Sequence, residues 1–277
     1  MRLKISAREI NKVANSSFIP FLLISFGLAW GIVGLYVFLP GMMEAVFGEL
    51  TGNHPLFFLA VYAPAIAAFA LVLRAGGLAG LRLFLGRALL WRCSPAWYAF
   101  IIIVVPLIFV VGSAMRGSLS QEAFPYDSFQ ALLVPLILAV IKGPVEEFGW
   151  RGLALPILQR KFTPIWASLI LGGIWGLWHL PAFLLSGTQQ SQWSFWAFFF
   201  GCLAISIIAT ALFNRSRGSI LLSAFFHFSL MNPILPDAQP YDTYLLIIVA
   251  CLIVWWNWRE MTTREGSVKE VIPKIGY

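Results

Sequence analysis

Apolar stretches long enough to span a lipid bilayer recur from one end of this chain to the other, and that recurrence narrows the fold more than any other feature. A hydrocarbon core about 30 Å thick needs about 20 apolar residues in a helix, and only helices or closed barrels satisfy their backbone groups there. Eight such segments are expected, at 18–39, 56–73, 97–112, 137–158, 165–185, 195–213, 220–235 and 244–258. Of the 277 residues 60% are hydrophobic and 11% charged, against about 25% charged in ordinary soluble domains. The alternating segments of about ten residues that mark an outer-membrane barrel do not occur. The expectation is an all-α, polytopic transmembrane helix bundle, a single integral domain over 1–277 of the cell membrane.

The charges between these segments test the count independently of hydropathy. Arg2, Lys4, Arg8 and Lys12 precede the first segment, Glu44 and Glu49 follow it, and Arg74, Arg82, Arg87 and Arg92 follow the second. The rhythm continues with Glu122 and Asp127 beside a single Arg116, then Arg160 and Lys161, then an uncharged loop around Gln189. Arg215 and Arg217 come next, then Asp237 and Asp242, and finally a tail with Arg259, Arg264, Lys269 and Lys274 among Glu260, Glu265 and Glu270. Basic connections stay on the cytoplasmic side, so eight spans put both termini in the cytoplasm.

Placed at span ends, the net charge of +7 calls for the bilayer as partner and for no nucleic acid. The first apolar run is too long for the core of a signal peptide and is expected to remain as a span. Leu78, Leu81, Leu85 and Leu89 recur at helical spacing with Arg82, Arg87 and Arg92 interleaved, which predicts an amphipathic helix over about 77–93 on the cytoplasmic surface. Cys93, Cys202 and Cys251 are odd in number and far apart, which fits neither a disulfide framework nor a zinc ribbon.

Ionisable groups inside a bilayer are costly unless they are paired or functional, and the core at 137–235 concentrates them. Lys142, Glu146, Glu147 and Arg151 lie on the fourth segment, His179 on the fifth and His227 on the seventh. On a helix, residues four apart share a face, which pairs Glu147 with Arg151 and Lys142 with Glu146. Glu146 and Glu147 diverge by about 100°, so Glu147 is assigned as an anchored anion and Glu146 as a base. A rise of about 1.5 Å per residue places Glu146 roughly 13 Å and His179 about 9 Å from the outer ends of their segments. His227 lies about 12 Å from the inner end of its own, so all three fall near the midplane.

A carboxylate and a neutral imidazole sharing one water can take its proton as it attacks a carbonyl. A second imidazole and an amide, His227 and Asn232, can donate to the resulting oxyanion. No GxSxG elbow is present and no cysteine lies near a histidine in sequence, so the constellation is that of a hydrolase without a serine or cysteine nucleophile. The simpler alternatives are an ion pair that only sets helix register, a histidine beside a kink at Leu180-Pro181, and a turn-forming Asn232 before Pro233.

Glu146-Glu147-Phe-Gly-Trp-Arg151, Trp175-Gly-Leu-Trp-His179 and a third motif from His227 resemble the EExxxR, FxxxH and HxxxN/D motifs of the CAAX-protease and bacteriocin-processing family of intramembrane proteases. That family includes the Rce1-type prenyl-protein endopeptidases. The resemblance covers roughly 143–232 and implies a glutamate-dependent endopeptidase acting on a membrane-associated peptide or protein, lipid-modified substrates included. It implies that Glu146 and His179 activate water, that Glu147 and Arg151 support them, and that His227 and an Asn form the oxyanion hole. Trp175 stands where the family usually has Phe, and Met231 stands where it has Asn or Asp, with Asn232 one residue later. That shift turns a helical side chain by about 100°, so Asn232 serves only if the helix has already ended.

Two histidines and a glutamate are also a zinc-type donor set, but HExxH is missing, and no cofactor or metal is expected. The competing functions are a catalytically inactive relative acting as a membrane scaffold or immunity-type protein, and a proton-coupled transporter. No inverted repeat or pair of broken helices supports the latter.

Overall fold

A computed structural model describes residues 13–122, 126–185 and 188–273, and every regular element among them is helical. Arg2, Lys4, Arg8, Lys12 and Lys274, counted above among the basic connections, lie outside the described residues. Helix α1 (Phe18–Phe38) leads through α2 (Pro40–Phe47) to the long α3 (Pro55–Leu85). Next comes α4 (Val105–Arg116), entered through Pro95–Ala99 and a π-helical segment, Phe100–Val104. Helix α5 (Phe129–Ile141) is followed by α6 (Gly143–Gly149), whose path continues through π-helical Trp150–Ala154 to Leu155–Gln159. The chain ends with α7 (Pro164–Trp178), α8 (Phe195–Arg215), α9 (Ile220–Leu230), α10 (Tyr241–Trp256) and α11 (Trp258–Thr262).

Among the described residues six segments are long and apolar enough to cross a membrane: Asn15–Phe38, Pro55–Leu89, Pro95–Arg116, Phe129–Gln159, Pro164–Leu184 and Phe195–Arg215. The seventh and eighth expected segments coincide with the shorter apolar helices α9 and α10. The seventh departs most from expectation. Its helix has 11 residues and stops at Leu230, a length of about 16 Å, and the rest of the apolar run to Leu235 is loop, with Pro233 and Pro236 unable to continue a helix.

Local chemistry sets the boundaries. Pro40, Pro55 and Pro164 open their helices, where a missing N–H costs nothing. Ser128 and Ser219 cap α5 and α9, their hydroxyls accepting from Ala131 N at 3.2 Å and Leu222 N at 3.0 Å. His54 caps α3: its Nδ1 accepts from Leu56 N at 3.1 Å while Nε2–H donates to Phe47 O at 2.8 Å. Helix α3 breaks at Gly77 (φ 60°, ψ −164°), a conformation essentially reserved for glycine. Beyond that break Leu78 and Leu89 are exposed, whereas Phe84 and Arg87 turn into the core; Arg87 is therefore not one of the surface cations of an amphipathic face.

Small residues let the helices approach closely, as in membrane bundles generally. A Cβ on Gly149 would lie 2.5 Å from Pro64 Cβ and 2.6 Å from the Pro64 backbone, and one on Gly172 would lie 2.9 Å from Ser206 Cβ. These two glycines set the spacing of α6 against α3 and of α7 against α8. Indole donors tie α7 to α1, from Trp178 Nε1 to Ser25 O and from Trp30 Nε1 to Trp178 O, both at 3.1 Å.

The end of the bundle where α1 begins is closed by the tail, with Val271 and Ile272 fully buried. There Arg160 donates to Lys269 O at 2.9 Å and to Val13 O at 2.7 Å, and Gln159 donates to Val268 O at 2.9 Å.

Candidate active site

At the opposite end a cavity of about 590 Å³ descends into the bundle, and Glu146, Trp175, His179, His227 and Asn232 all contribute to its wall. Four separate segments deliver them: α6, α7, the C-terminal end of α9, and the loop beyond it. The meeting expected from helix depth thus occurs, and Trp175 lies at its centre.

Glu146 is 4% exposed. Its Oε2 accepts two indole N–H bonds, from Trp150 at 3.1 Å and from Trp175 at 2.9 Å. The same Trp175 offers its backbone carbonyl to His179 Nδ1 at 2.8 Å. That carbonyl belongs to the last turn of α7, where helix carbonyls have no partner within the helix. A carbonyl can only accept, so His179 carries its proton on Nδ1 and leaves a lone pair on Nε2. Rings box the imidazole, with Trp178 at 4.8 Å, Phe198 at 5.0 Å and Trp175 at 5.3 Å between centroids. Further chain wraps around Trp175, with Arg151 5.0 Å over its ring and His227 edge-on at 5.5 Å.

Behind this layer Glu147 and Arg151, each 1% exposed, form the ion pair that their spacing predicts, Arg151 Nη1 donating to Glu147 Oε1 at 2.8 Å. His227 Nδ1–H donates to the same oxygen at 2.8 Å. Glu147 is thus shared between a guanidinium and an imidazole, and it orients the latter as outer-sphere carboxylates commonly do. His227 also lies flush against the start of α6, since a Cβ on Gly143 would come within 2.8 Å of its Nε2 and 2.2 Å of Met231 Sδ.

The Lys142–Glu146 pairing is not formed. The backbone leaves the helical region at Lys142 (φ −84°, ψ −84°) and Pro144 helps start a new helix, so the four-residue spacing no longer means a shared face. Lys142 Nζ instead donates to Gly52 O at 2.5 Å and Asn53 Oδ1 at 3.0 Å. Asn232 meets its condition, because α9 ends at Leu230 and Met231 is its cap. Asn232 Oδ1 accepts from Ile234 N at 3.1 Å, which fixes the amide and leaves Nδ2 as a donor.

Two side chains that hold Glu146 escaped the sequence reading as donors. Trp150 lies four residues beyond Glu146, the same relation that flags Arg151 for Glu147, and an indole N–H is a donor that hydropathy ignores. Trp175 was legible only as an aromatic in place of Phe, although Phe has no N–H to give. No group of three His, Cys, Asp or Glu side chains among the described residues is placed to hold one metal ion.

Comparison with known proteins matches the stretch of chain that carries these residues. The type II CAAX prenyl endopeptidase Rce1-like family matches at 128–232, from the cap of α5 to Asn232. The chain is also 30% identical over 189 residues to CAAX prenyl protease 2 of Methanococcus maripaludis, a span of 64% of this chain and 70% of that protein. With its three motifs gathered around one cavity in an all-helical membrane bundle, this chain belongs to the Rce1-like CAAX prenyl endopeptidase family of proteases.

Proposed function

We propose that this chain is an intramembrane endopeptidase of the cell membrane, hydrolysing a peptide bond of a membrane-associated polypeptide, lipid-modified ones included, with water activated between Glu146 and His179. The observation that carries this is the double use of Trp175, whose N–H holds Glu146 Oε2 and whose carbonyl holds His179 Nδ1. One residue thereby leaves Glu146 Oε1 and His179 Nε2 as the basic atoms at the cavity wall.

Water bound there transfers a proton to Glu146 as its oxygen attacks the peptide carbonyl carbon, and His179 Nε2 orients it. The carbonyl oxygen gains the charge and is met by Asn232 Nδ2 and His227 Nε2. Because His227 Nδ1–H is committed to Glu147, donation from Nε2 requires the imidazolium. Glu147 supplies the countercharge, and Arg151 Nη1 donates to the same carboxylate oxygen at 2.8 Å. Collapse of the tetrahedral intermediate breaks the C–N bond, and the leaving amine takes the proton from Glu146.

Glu146→Gln tests the assignment: it keeps an acceptor for both indoles but removes the base. Purified in detergent with a set of membrane-associated peptides, the variant is expected to be folded and inactive. Cleavage at the unsubstituted rate refutes the assignment. Activity that survives exhaustive chelation supports a mechanism run by protein groups; activity lost on chelation and restored by zinc overturns it. Substrate-dependent proton uptake into proteoliposomes without any cleavage points to a transporter, and neither activity points to a scaffold.

A further inference from the structure

Arg87 is a cation that the proposed chemistry leaves unused, although it is buried to 3% exposure. It follows α3 in the 3-10 turn Gly86–Leu89, beyond the break at Gly77 that redirects the chain. A charge is costly to bury unless its donors are used, so the partners of the guanidinium show what it holds. Its Nη1 donates to Gly152 O at 3.4 Å, Nη2 donates to the carbonyl of Glu270 in the tail, and the group lies 5.8 Å over the ring of Phe213. The turn between α8 and α9 leaves room for it, since a Cβ on Gly218 would lie 3.4 Å from Arg87 Cζ.

Gly152 O lacks the donor that an α-helix would give it. That donor belongs four residues on, at Pro156, which has no N–H and whose ring crowds the carbonyl four residues before it. The helix widens at this point, with Leu155 N bonding back five residues to Trp150 O, the form of helix that recurs at functional sites. Nor is there space for a side chain: a Cβ on Gly152 would lie 2.8 Å from Phe84 Cζ and 3.0 Å from Ile220 Cδ1. The wide turn is thus held by Phe84, Ile220 and Arg87 on one side. On its other side it sends Trp150 Nε1 to Glu146 Oε2 at 3.1 Å.

We propose that Arg87 is a positioning residue for hydrolysis at Glu146, the reading on which this inference rests. By taking the Gly152 carbonyl that Pro156 leaves without a helical donor, Arg87 fixes the turn that aims Trp150 at Glu146. The tail is its anchor, because buried Val271 and Ile272 seat the Glu270 carbonyl against the guanidinium. A segment that reads as a charged terminus therefore reaches the site through one side chain, and Arg87 acts only through the turn it holds.

The test is steady-state kinetics of Arg87→Gln and Arg87→Lys, purified in detergent and assayed with membrane-associated peptides, each alone and combined with Trp150→Phe. Glutamine cannot bridge both carbonyls, whereas lysine keeps the charge and one donor group. In folded Arg87→Gln, kcat is expected to fall about 10- to 100-fold, as it does when catalytic groups are misplaced, with KM within about twofold. Arg87→Lys should retain more of the rate. Combined with Trp150→Phe, either substitution should cost much less than it does alone, because the contact it protects is already gone. Parent-level kcat in folded Arg87→Gln, or a loss that multiplies undiminished through Trp150→Phe, overturns the proposal. Should Arg87→Gln fail to fold, Arg87→Lys decides by the same two readouts. Glu146→Gln separates this inference from the reading beneath it: full activity there sinks both, whereas an inactive Glu146→Gln beside unaffected Arg87 variants sinks this one alone.

Discussion

Trp175→Phe removes the indole N–H together with one of the two fused rings of a buried side chain, and leaves a phenyl ring and the backbone in place. The ring remains between His179 and His227, and the backbone carbonyl still holds His179 Nδ1. Phe is also the residue the family usually carries at this position, so the backbone tolerates it. What is lost is the 2.9 Å donor to Glu146 Oε2 in a buried setting. Hydrogen bonds to charged groups are worth about 1.5–3 kcal/mol, or about 10- to 150-fold in rate if the bond serves only catalysis. Trp150 still donates to the same oxygen at 3.1 Å, so the lower end applies, about tenfold. Steady-state kinetics on the purified enzyme should show kcat and kcat/KM falling together with KM little changed, the pattern of an interaction that matters in the transition state. Trp150→Phe should behave alike, and the double variant should lose more than either. A kcat equal to that of the parent in Trp175→Phe, with normal thermal stability, would show that the indole does not position Glu146.

Gly143→Ala places a methyl 2.2 Å from Met231 Sδ and 2.8 Å from His227 Nε2; overpacking of this kind costs about 1–3 kcal/mol. Adding Met231→Ala should recover thermal stability but not activity, since the imidazole is still displaced. Glu147→Ala strands Arg151 at 1% exposure and should cost about 3–5 kcal/mol, because an unpaired buried charge is left behind. A Glu147→Ala, Arg151→Leu pair should unfold at a higher temperature than the single variant while remaining inactive. Arg160→Ala loses its bonds to Val13 and Lys269; it should lower the melting temperature in detergent with kcat unaffected, since none of those contacts lies at the cavity.

What the sequence made legible was local. Hydropathy located the six candidate spans because each carries a long, largely apolar stretch, and the Glu147–Arg151 pair followed from four-residue spacing within one helical path. The failures share a cause. Lys142 leaves Glu146 because the backbone breaks between them, and spacing rules hold only where the helix is continuous. The run from Ile220 to Leu235 is apolar throughout, yet its helix stops at Leu230, and average hydropathy does not distinguish an apolar loop from an apolar helix. The tail reads as a charged terminus, but Val271 and Ile272 are buried. Only tertiary contacts reveal that, through main-chain carbonyls accepting from Gln159 and Arg160.

The places where regular helix fails explain why a hydrolase can operate inside such an apolar chain. Non-helical backbone at membrane depth is tolerated where it is buried in protein or lines a water-filled space. Helix α9 stops short at Leu230 and the helix breaks at Lys142, and both interruptions lie along the cavity: Lys142, Gly143, Met231 and Asn232 all line it. Each also places chemistry. The break starts α6 at Gly143, against which His227 packs, and the early end of α9 frees Asn232 from the helical direction that would have turned it away. The Trp150–Ala154 π-helical segment lies one step further along the same helix and carries both Trp150 and Arg151, the donors to the two glutamates. A chain with eight uninterrupted helices would satisfy the bilayer equally well but would lack the non-helical backbone that lines the cavity beside Glu146, so the helix interruptions and the proposed catalytic cluster belong together.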